Sequence, residues 1–346
     1  MVAFAEWTAF AIGLALVVTT GAGMIRALVV PRGEASHLAA FVSHEIVWRS
    51  FLRIVNPIGD YERKDRVLAL AAPIAVLATL LMWFLLFLFG YTLMLVPFTG
   101  GSLGHAVEEA GSSMLTLGIF KSTSSAATAI DFAAAASGLI VIALQIGYLP
   151  TLYGSFNRRE TLVTLLQSRA GAPAWGPEIL ARSAQAELQA ELPDFYAEWE
   201  RWAADVAESH STYPVLVWFR SPHALRSWIV GLLAVMDSAA LYHSLCPSTS
   251  PAQARLCMRM GFTALRYIAD VIRIDYDPDP YPNDPITLTY EEFLGGVHRM
   301  EEAGFEMERS PEEAWVHFRG WRVNYEQVAY AIADEVVAPP GPWSGA

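Results

Sequence analysis

Charged residues are scarce in this chain. They make up 17% of its 346 residues, while hydrophobic residues make up 54%. About a quarter of the residues in an ordinary soluble protein are charged. The charge is also unevenly spread: residues 1–170 hold 11 Lys and Arg with 10 Asp and Glu, and residues 171–346 hold the remaining 12 and 25. We therefore expect a membrane module followed by an acidic, mostly soluble domain.

Several common functional motifs are absent from the sequence. It has no phosphate-binding loop, no nucleophile elbow and no dinucleotide fingerprint, so we predict neither an enzyme nor a bound cofactor. The acidic half has too few basic side chains for a nucleic-acid partner, because nucleic-acid phosphates are bound mainly by Lys and Arg.

Cysteine is almost absent as well. Cys246 and Cys257 are the two in the chain, and no CxxC or Cys/His spacing surrounds them. A zinc site therefore has little support. One disulfide remains an alternative, but we expect two free thiols in a reducing compartment.

Four aspartates lie in a proline-rich stretch and raise the question of calcium. Carboxylates at alternate positions can bind this ion. Here the glycine of an EF-hand loop is missing, and position 286 is Ile instead of Glu. We expect a solvated acidic loop and no metal site at these residues, which are Asp275, Asp277, Asp279 and Asp284.

Three long apolar runs predict membrane-spanning helices, since one crossing takes about 20 residues. They cover residues 7–29, 68–98 and 132–156. The first could instead be a signal peptide, but Glu6 precedes it without a basic residue and no clear cleavage site follows. A fourth apolar run, within 222–245, is too short between polar residues, so we expect a buried core helix there.

Basic residues near the runs predict the orientation. The stretches after the first and third runs are rich in arginine, whereas the stretch between the second and third runs holds Lys121 as its one basic residue. The N-terminus is then outside and the C-terminal domain is cytoplasmic, in a bacterial inner membrane. Residues 35–58 have helical apolar spacing, which suits a helix on the inner membrane surface or one packed on the cytoplasmic domain.

The stretch between the second and third runs contains a short polar loop with a glycine. Residues 103–114 have the length of a helix that enters the membrane and stops, and Thr116-Leu117-Gly118-Ile119-Phe120-Lys121 follows it. Residues 68–158 resemble the pore module of tetrameric potassium channels. The resemblance implies an outer helix, a pore helix, a selectivity filter and an inner helix, assembled as a homotetramer.

The resemblance also implies roles for single residues. Stacked backbone carbonyls of the filter would replace the hydration shell of the ion. Thr116 and Gly118 match the family pattern Thr-Val-Gly-Tyr-Gly, but Ile119 and Phe120 do not, and Lys121 stands where Asp is usual. The expected filter residues are Thr116, Leu117, Gly118, Ile119 and Phe120; the expected outer mouth is Lys121, Glu108 and Glu109.

The third run would be the gating helix of such a pore. Glycine and proline permit bending, so the expected hinge residues are Gly138, Gly147 and Pro150. Arg158 and Arg159 would mark the inner mouth.

The predicted organisation is all-α. It comprises an N-terminal transmembrane helix (1–30), an amphipathic segment (31–66), a pore module (67–160) and a helical cytoplasmic domain (161–346). The expected partners are lipid, the permeant ion and further copies of the chain. The predicted function is a regulated ion channel of uncertain selectivity; the alternative is a non-conducting, membrane-anchored sensor or scaffold.

Overall fold

The computed structural model describes residues 2–28, 37–120, 122 and 124–345. Of these described residues, 76% are helical and none forms a strand, which confirms the predicted all-α class. The α-helices are α1 (Val2–Leu28), α2 (His37–Ala40), α3 (Arg49–Val55), α4 (Tyr61–Leu68), α5 (Ala71–Leu95), α6 (Leu103–Met114), α7 (Ser125–Ala170), α8 (Gly176–Gln185), α9 (Leu192–Thr212), α10 (Trp228–Leu245), α11 (Ala252–Ile272), α12 (Tyr290–Glu302), α13 (Pro311–Arg322) and α14 (Glu326–Glu335).

Shorter helical turns connect some of these helices. A π-helical stretch (Phe41–Trp48) joins α2 to α3 and packs against α5, and a 3₁₀ turn (Val96–Phe98) follows α5. Two further 3₁₀ turns are Gln189–Glu191 and Pro214–Trp218.

The chain divides into two compact units. The first comprises Met1–Ile54 with Leu70–Tyr153, and the second comprises Val55–Ala69 with Gly154–Ala346. Helix α4 therefore groups with the C-terminal residues, and α7 begins in the first unit and ends in the second.

Among the described residues, four helices are long and apolar enough to cross a membrane. They are Ala3–Leu28, Tyr61–Phe98, Ser125–Ala170 and Trp228–Leu245. The last differs from the others, because 94% of its residues are buried inside the protein, against 17–33% for the other three. It packs against α8, α9, α11, α13 and α14, as a core helix does.

In the first unit, α1 and α5 meet at two glycines. A Cβ on Gly13 would lie 2.4 Å from the Gly90 carbonyl oxygen, and a Cβ on Gly90 would lie 2.7 Å from a methyl carbon of Val17. Small residues allow such close helix packing, which is the common way for helices to associate in lipid. The opposite face of α5 exposes a row of large apolar side chains: Leu77, Leu81, Leu85 and Phe89.

The second unit begins several of its helices at sequence signals. Thr289 forms a capping box with Glu292, and the Ser310 hydroxyl accepts the Glu313 N–H. Helix α10 begins at Trp228 after the N-cap Ser227, and Pro251 is the N-cap of α11. The predicted free thiols are confirmed, since Cys246 and Cys257 are both unpaired and buried.

The close approach of α1 and α5 predicts different effects for two alanine substitutions in one helix. Gly13→Ala forces a Cβ against the Gly90 carbonyl and should destabilise the protein by about 1–3 kcal/mol. Gly21→Ala is the matched control, because the nearest atom to its Cβ is 3.9 Å away. Thermal unfolding of the detergent-solubilised protein measures both; equal midpoints for the two variants would contradict this packing.

Candidate functional site

Helix α6 has the bounds expected for the short helix between the second and third apolar runs. The Ser102 hydroxyl caps its start by accepting the His105 N–H, and the helix packs against α5. Its 12 residues span about 18 Å, which is too short to cross the hydrocarbon core of about 30 Å.

The end of α6 folds into a capping turn. The Leu117 N–H donates to the Ser112 carbonyl at 2.8 Å, and the Thr116 N–H donates to the Ser113 carbonyl at 3.1 Å. This paired pattern is a Schellman motif, which places Thr116 in the left-handed region at a φ of 55°. Threonine is rare there because its side chain branches at Cβ.

The capping turn extends into the rest of the filter-like loop, residues 116–120. Gly118 also has a positive φ, 66°, which glycine adopts without steric cost. The Ser112 hydroxyl then accepts the Ile119 N–H at 3.0 Å. The loop is therefore fixed to the last turn of α6 by three backbone donors.

The C-terminal end of α6 contacts α7 at Gly138, well past the first residue of that helix. A Cβ on Gly138 would be 2.1 Å from the Met114 carbonyl oxygen, so only glycine fits at this contact. Gly138 is 13 residues from the first residue of α7, which is about 20 Å of helix, and about 9 Å past Phe132, where the apolar run begins. The chain after Met114 must therefore return about 20 Å to reach the start of α7.

Side chains hold this returning segment. Asp131 accepts hydrogen bonds from the hydroxyls of Ser113, at 2.9 Å, and Ser122. The Ser122 hydroxyl also contacts a carboxylate oxygen of Glu109 at 2.9 Å. Of the expected mouth residues, Glu109 thus takes part in a polar cluster and Glu108 is exposed. Lys121 lies outside the described residues.

The filter-like loop is exposed in a single chain. Leu117 is 57% exposed, Ile119 70% and Phe120 43%. Backbone and large apolar side chains are therefore uncovered at the depth where α6 ends beside the apolar run of α7.

A second exposed feature runs along α7. Mostly small residues recur there at alternating intervals of three and four, the spacing that keeps side chains on one helix face. This exposed row consists of Ala129, Ala133, Ala136, Ile140, Ala143, Gly147 and Pro150. Two expected hinge residues, Gly147 and Pro150, belong to it, whereas Gly138 is buried under α6; α7 remains helical through Pro150.

In the second unit, the two expected inner-mouth arginines have different surroundings. Arg158 is exposed and pairs with Asp205 at 3.2 Å. Arg159 is fully buried: it pairs with Glu160 at 2.8 Å and donates to the carbonyls of Leu216 at 2.8 Å and Phe219 at 2.6 Å. The guanidinium that meets solvent at this position is therefore that of Arg158.

A buried histidine completes the contacts of Arg159. The guanidinium donates to His210 Nε2 at 3.1 Å, so the ring proton must be on Nδ1, 3.1 Å from the Ser209 hydroxyl. Burial, and then the charge of Arg159, hold the pKa of His210 well below its ordinary value. The ring is neutral at physiological pH and acts here as an acceptor.

Residues 214–221, which we name the clamp segment, bind a second helix through Arg220. Its guanidinium pairs with Asp65 of α4, lies 2.5 Å from the Tyr61 hydroxyl and donates to the carbonyls of Val336 and Val337. No local sequence pattern marks this contact, since Asp65 and Arg220 are far apart in the chain. One segment thus holds α4, which precedes α5, and the C-terminal part of α7.

The contact between Gly138 and Met114 predicts a position-specific effect in α7. Gly138→Ala should displace the end of α6 and lower stability by about 1–3 kcal/mol. Gly147→Ala is the control, because its Cβ would meet no described atom within 4 Å beyond its own helix. Thermal unfolding in detergent compares the variants. An unchanged midpoint for Gly138→Ala would refute the tight contact.

The two neighbouring arginines predict a second contrast. Arg159→Met leaves Glu160 and two carbonyls buried without their donor, so the free energy of unfolding should fall by about 3–5 kcal/mol. Arg158→Met removes an exposed ion pair and should cost less than about 1 kcal/mol. Urea unfolding of the full-length protein in detergent, followed by tryptophan fluorescence, measures both. Similar losses would mean that Arg159 is not buried as described.

No three His, Cys, Asp or Glu side chains are grouped to hold a metal ion in the part of the chain that the structure describes.

The candidate site consists of the filter-like loop, the cluster around Asp131 and the exposed row of α7. Comparison with protein-family models, curated proteins and solved structures finds no match to this chain.

Proposed function

We propose that this protein is the subunit of an ion-conducting membrane pore, built from several copies around the filter-like loop and regulated by the C-terminal helical domain. One observation carries the proposal: non-helical, exposed backbone follows the point where α6 ends beside Gly138, about 9 Å inside the apolar run of α7. Backbone at membrane depth is tolerated only where it is buried in protein or lines water.

Conduction by several copies follows from the exposure of this loop. One loop cannot enclose a path, so the uncovered residues must face either water or the same loop of other copies. The exposed row of α7 supports such an assembly, because small residues let helices pack closely in lipid. The resemblance to tetrameric potassium channels makes four copies the proposed number.

The proposed selectivity differs from that of the resembled family. Gly118 has the left-handed backbone that a carbonyl-lined filter uses, but Ile119 and Phe120 leave the second glycine of the family unmatched. Four copies of Lys121 would add positive charge at the mouth, which opposes cation entry. We propose a pore in which the carbonyls near Thr116 and Gly118 form a rim and the apolar side chains beyond it form a collar.

Three spans are proposed, α1, α5 and α7, with the N-terminus outside and the second unit in the cytoplasm of a bacterial cell. The enclosure of α10 by protein supports three spans instead of four. The arginine-rich residues flanking α5 and α7 support the orientation.

Regulation is proposed to act through the clamp segment. Buried Arg159 holds it to α7, and Arg220 holds it to α4. A ligand or contact that moves this segment would act on the chain leading into two of the proposed spans.

Replacing Lys121 tests whether the protein conducts ions and whether Lys121 contributes charge at the mouth of the pore. Lys121→Asp should raise the permeability of cations relative to anions by roughly tenfold, because each copy gains a negative charge in place of a positive one. The measurement is the reversal potential of the purified protein in planar bilayers with asymmetric potassium chloride.

Lys64→Asp is the matched control, since α4 is proposed to lie on the cytoplasmic side. An unchanged reversal potential for Lys121→Asp would show that Lys121 does not lie at the mouth of the pore. Absence of any current from oligomeric protein would favour the sensor or scaffold instead.

A further inference from the structure

Helix α11 carries a line of arginines on its outer face. Arg255, Arg259 and Arg266 fall within about 40° of one another around the helix and extend about 16 Å along it. Arg273 continues the line at the C-cap. We name these four residues the basic stripe.

The buried face of α11 holds the helix without help from these arginines. It packs against α9 and α10, and Gly261 allows close approach by Met236, whose sulfur would lie 2.5 Å from an added Cβ. Arg255 and Arg259 repel each other one turn apart, and Arg255 lies in the first turn of the helix, where positive charge is unfavourable. Folding of the single chain therefore gains little from the stripe.

The basic stripe has no carboxylate partner among the residues that the structure describes. Arg255 contacts the ring nitrogen Nε2 of His243 at 3.2 Å, and Arg266 lies over the Tyr276 ring. Asp270 is the one acidic residue of α11, and its carboxylate accepts the Tyr276 hydroxyl at 3.1 Å.

An acidic surface with the opposite charge follows α11 directly. Residues 275–292, the acidic segment, expose Asp275, Asp277, Asp279, Glu291 and Glu292. Asp277 accepts the Asp279 N–H at 2.9 Å. None of these five carboxylates forms an ion pair within the described part of the chain.

We propose that the basic stripe of one copy binds the acidic segment of the next copy. Head-to-tail contacts between two different surfaces of one chain close into a ring when the rotation allows it, as the proposed pore requires. This inference rests on the proposed function in one respect: it takes the assembly to be a closed ring. A second copy fits better than an anionic lipid surface, because a second copy would pair both the basic stripe and the acidic segment, whereas an anionic surface would repel the acidic segment.

Cross-linking between two tagged copies tests the contact. Full-length Arg259→Cys with one tag is mixed with full-length Asp279→Cys carrying another, and a thiol-specific cross-linker is added. The native Cys246 and Cys257 are buried and should not react. Cross-linked pairs carrying both tags are expected. Glu208→Cys, an exposed acidic position on α9, replaces Asp279→Cys as the control and should give few.

Charge reversal tests the electrostatic basis. Arg266→Glu, added to the Arg259→Cys copy, should lower the cross-linking yield by roughly fivefold, the change carried by about one exposed ion pair. Asp277→Arg, added to the Asp279→Cys copy, should restore it.

Particle mass, measured on the same samples, separates the outcomes. An intact oligomer without mixed cross-links overturns this contact and leaves the proposed pore standing. A monomer overturns both. Binding to phosphatidylglycerol vesicles that is lost in Arg266→Glu, without mixed cross-links, assigns the stripe to a lipid surface and overturns the inference.

Discussion

A peptide group inside a membrane must be hydrogen-bonded or hydrated. An α-helix satisfies this requirement with its own backbone hydrogen bonds, as would the three helices of low burial that are proposed to span the membrane. In the proposed pore, the filter-like loop would satisfy this requirement only in part, through its hydrogen bonds to Ser112 and Ser113. The remaining backbone is exposed in one copy, and from this the proposals of water, of further copies and of a pathway all follow.

Close packing and buried charge each fix one part of this arrangement. Glycines set the first unit: Gly13 and Gly90 bring α1 onto α5, and Gly138 admits the end of α6. Arginines set the second: Arg159 of α7 binds the clamp segment, and Arg220 of that segment binds α4. The glycine contacts leave no room for a side chain, and the arginine contacts satisfy backbone carbonyls that would otherwise be buried alone. Each is therefore sensitive to a single substitution.

The sequence is sufficient to predict the helical class and the bounds of α6, because capping residues and apolar runs are local signals. It also predicts α10 as a core helix, since its run is short. The tight contact of Gly138 could not be predicted, because a glycine in a long helix is equally compatible with a hinge and with close packing against another helix. Arg159 follows an apolar run and resembles a surface charge, but α7 continues to Ala170 and carries it into a core. The pair of Asp65 and Arg220 joins distant segments, so no local pattern marks it.

The most direct test of the pore is the arrangement of copies in a lipid bilayer. Electron cryo-microscopy of the full-length chain in lipid nanodiscs would show it. We expect a symmetric ring, with residues 116–120 of every copy facing one common axis and α7 lining it below. A single copy, or a ring whose filter-like loops face the lipid, would contradict the account.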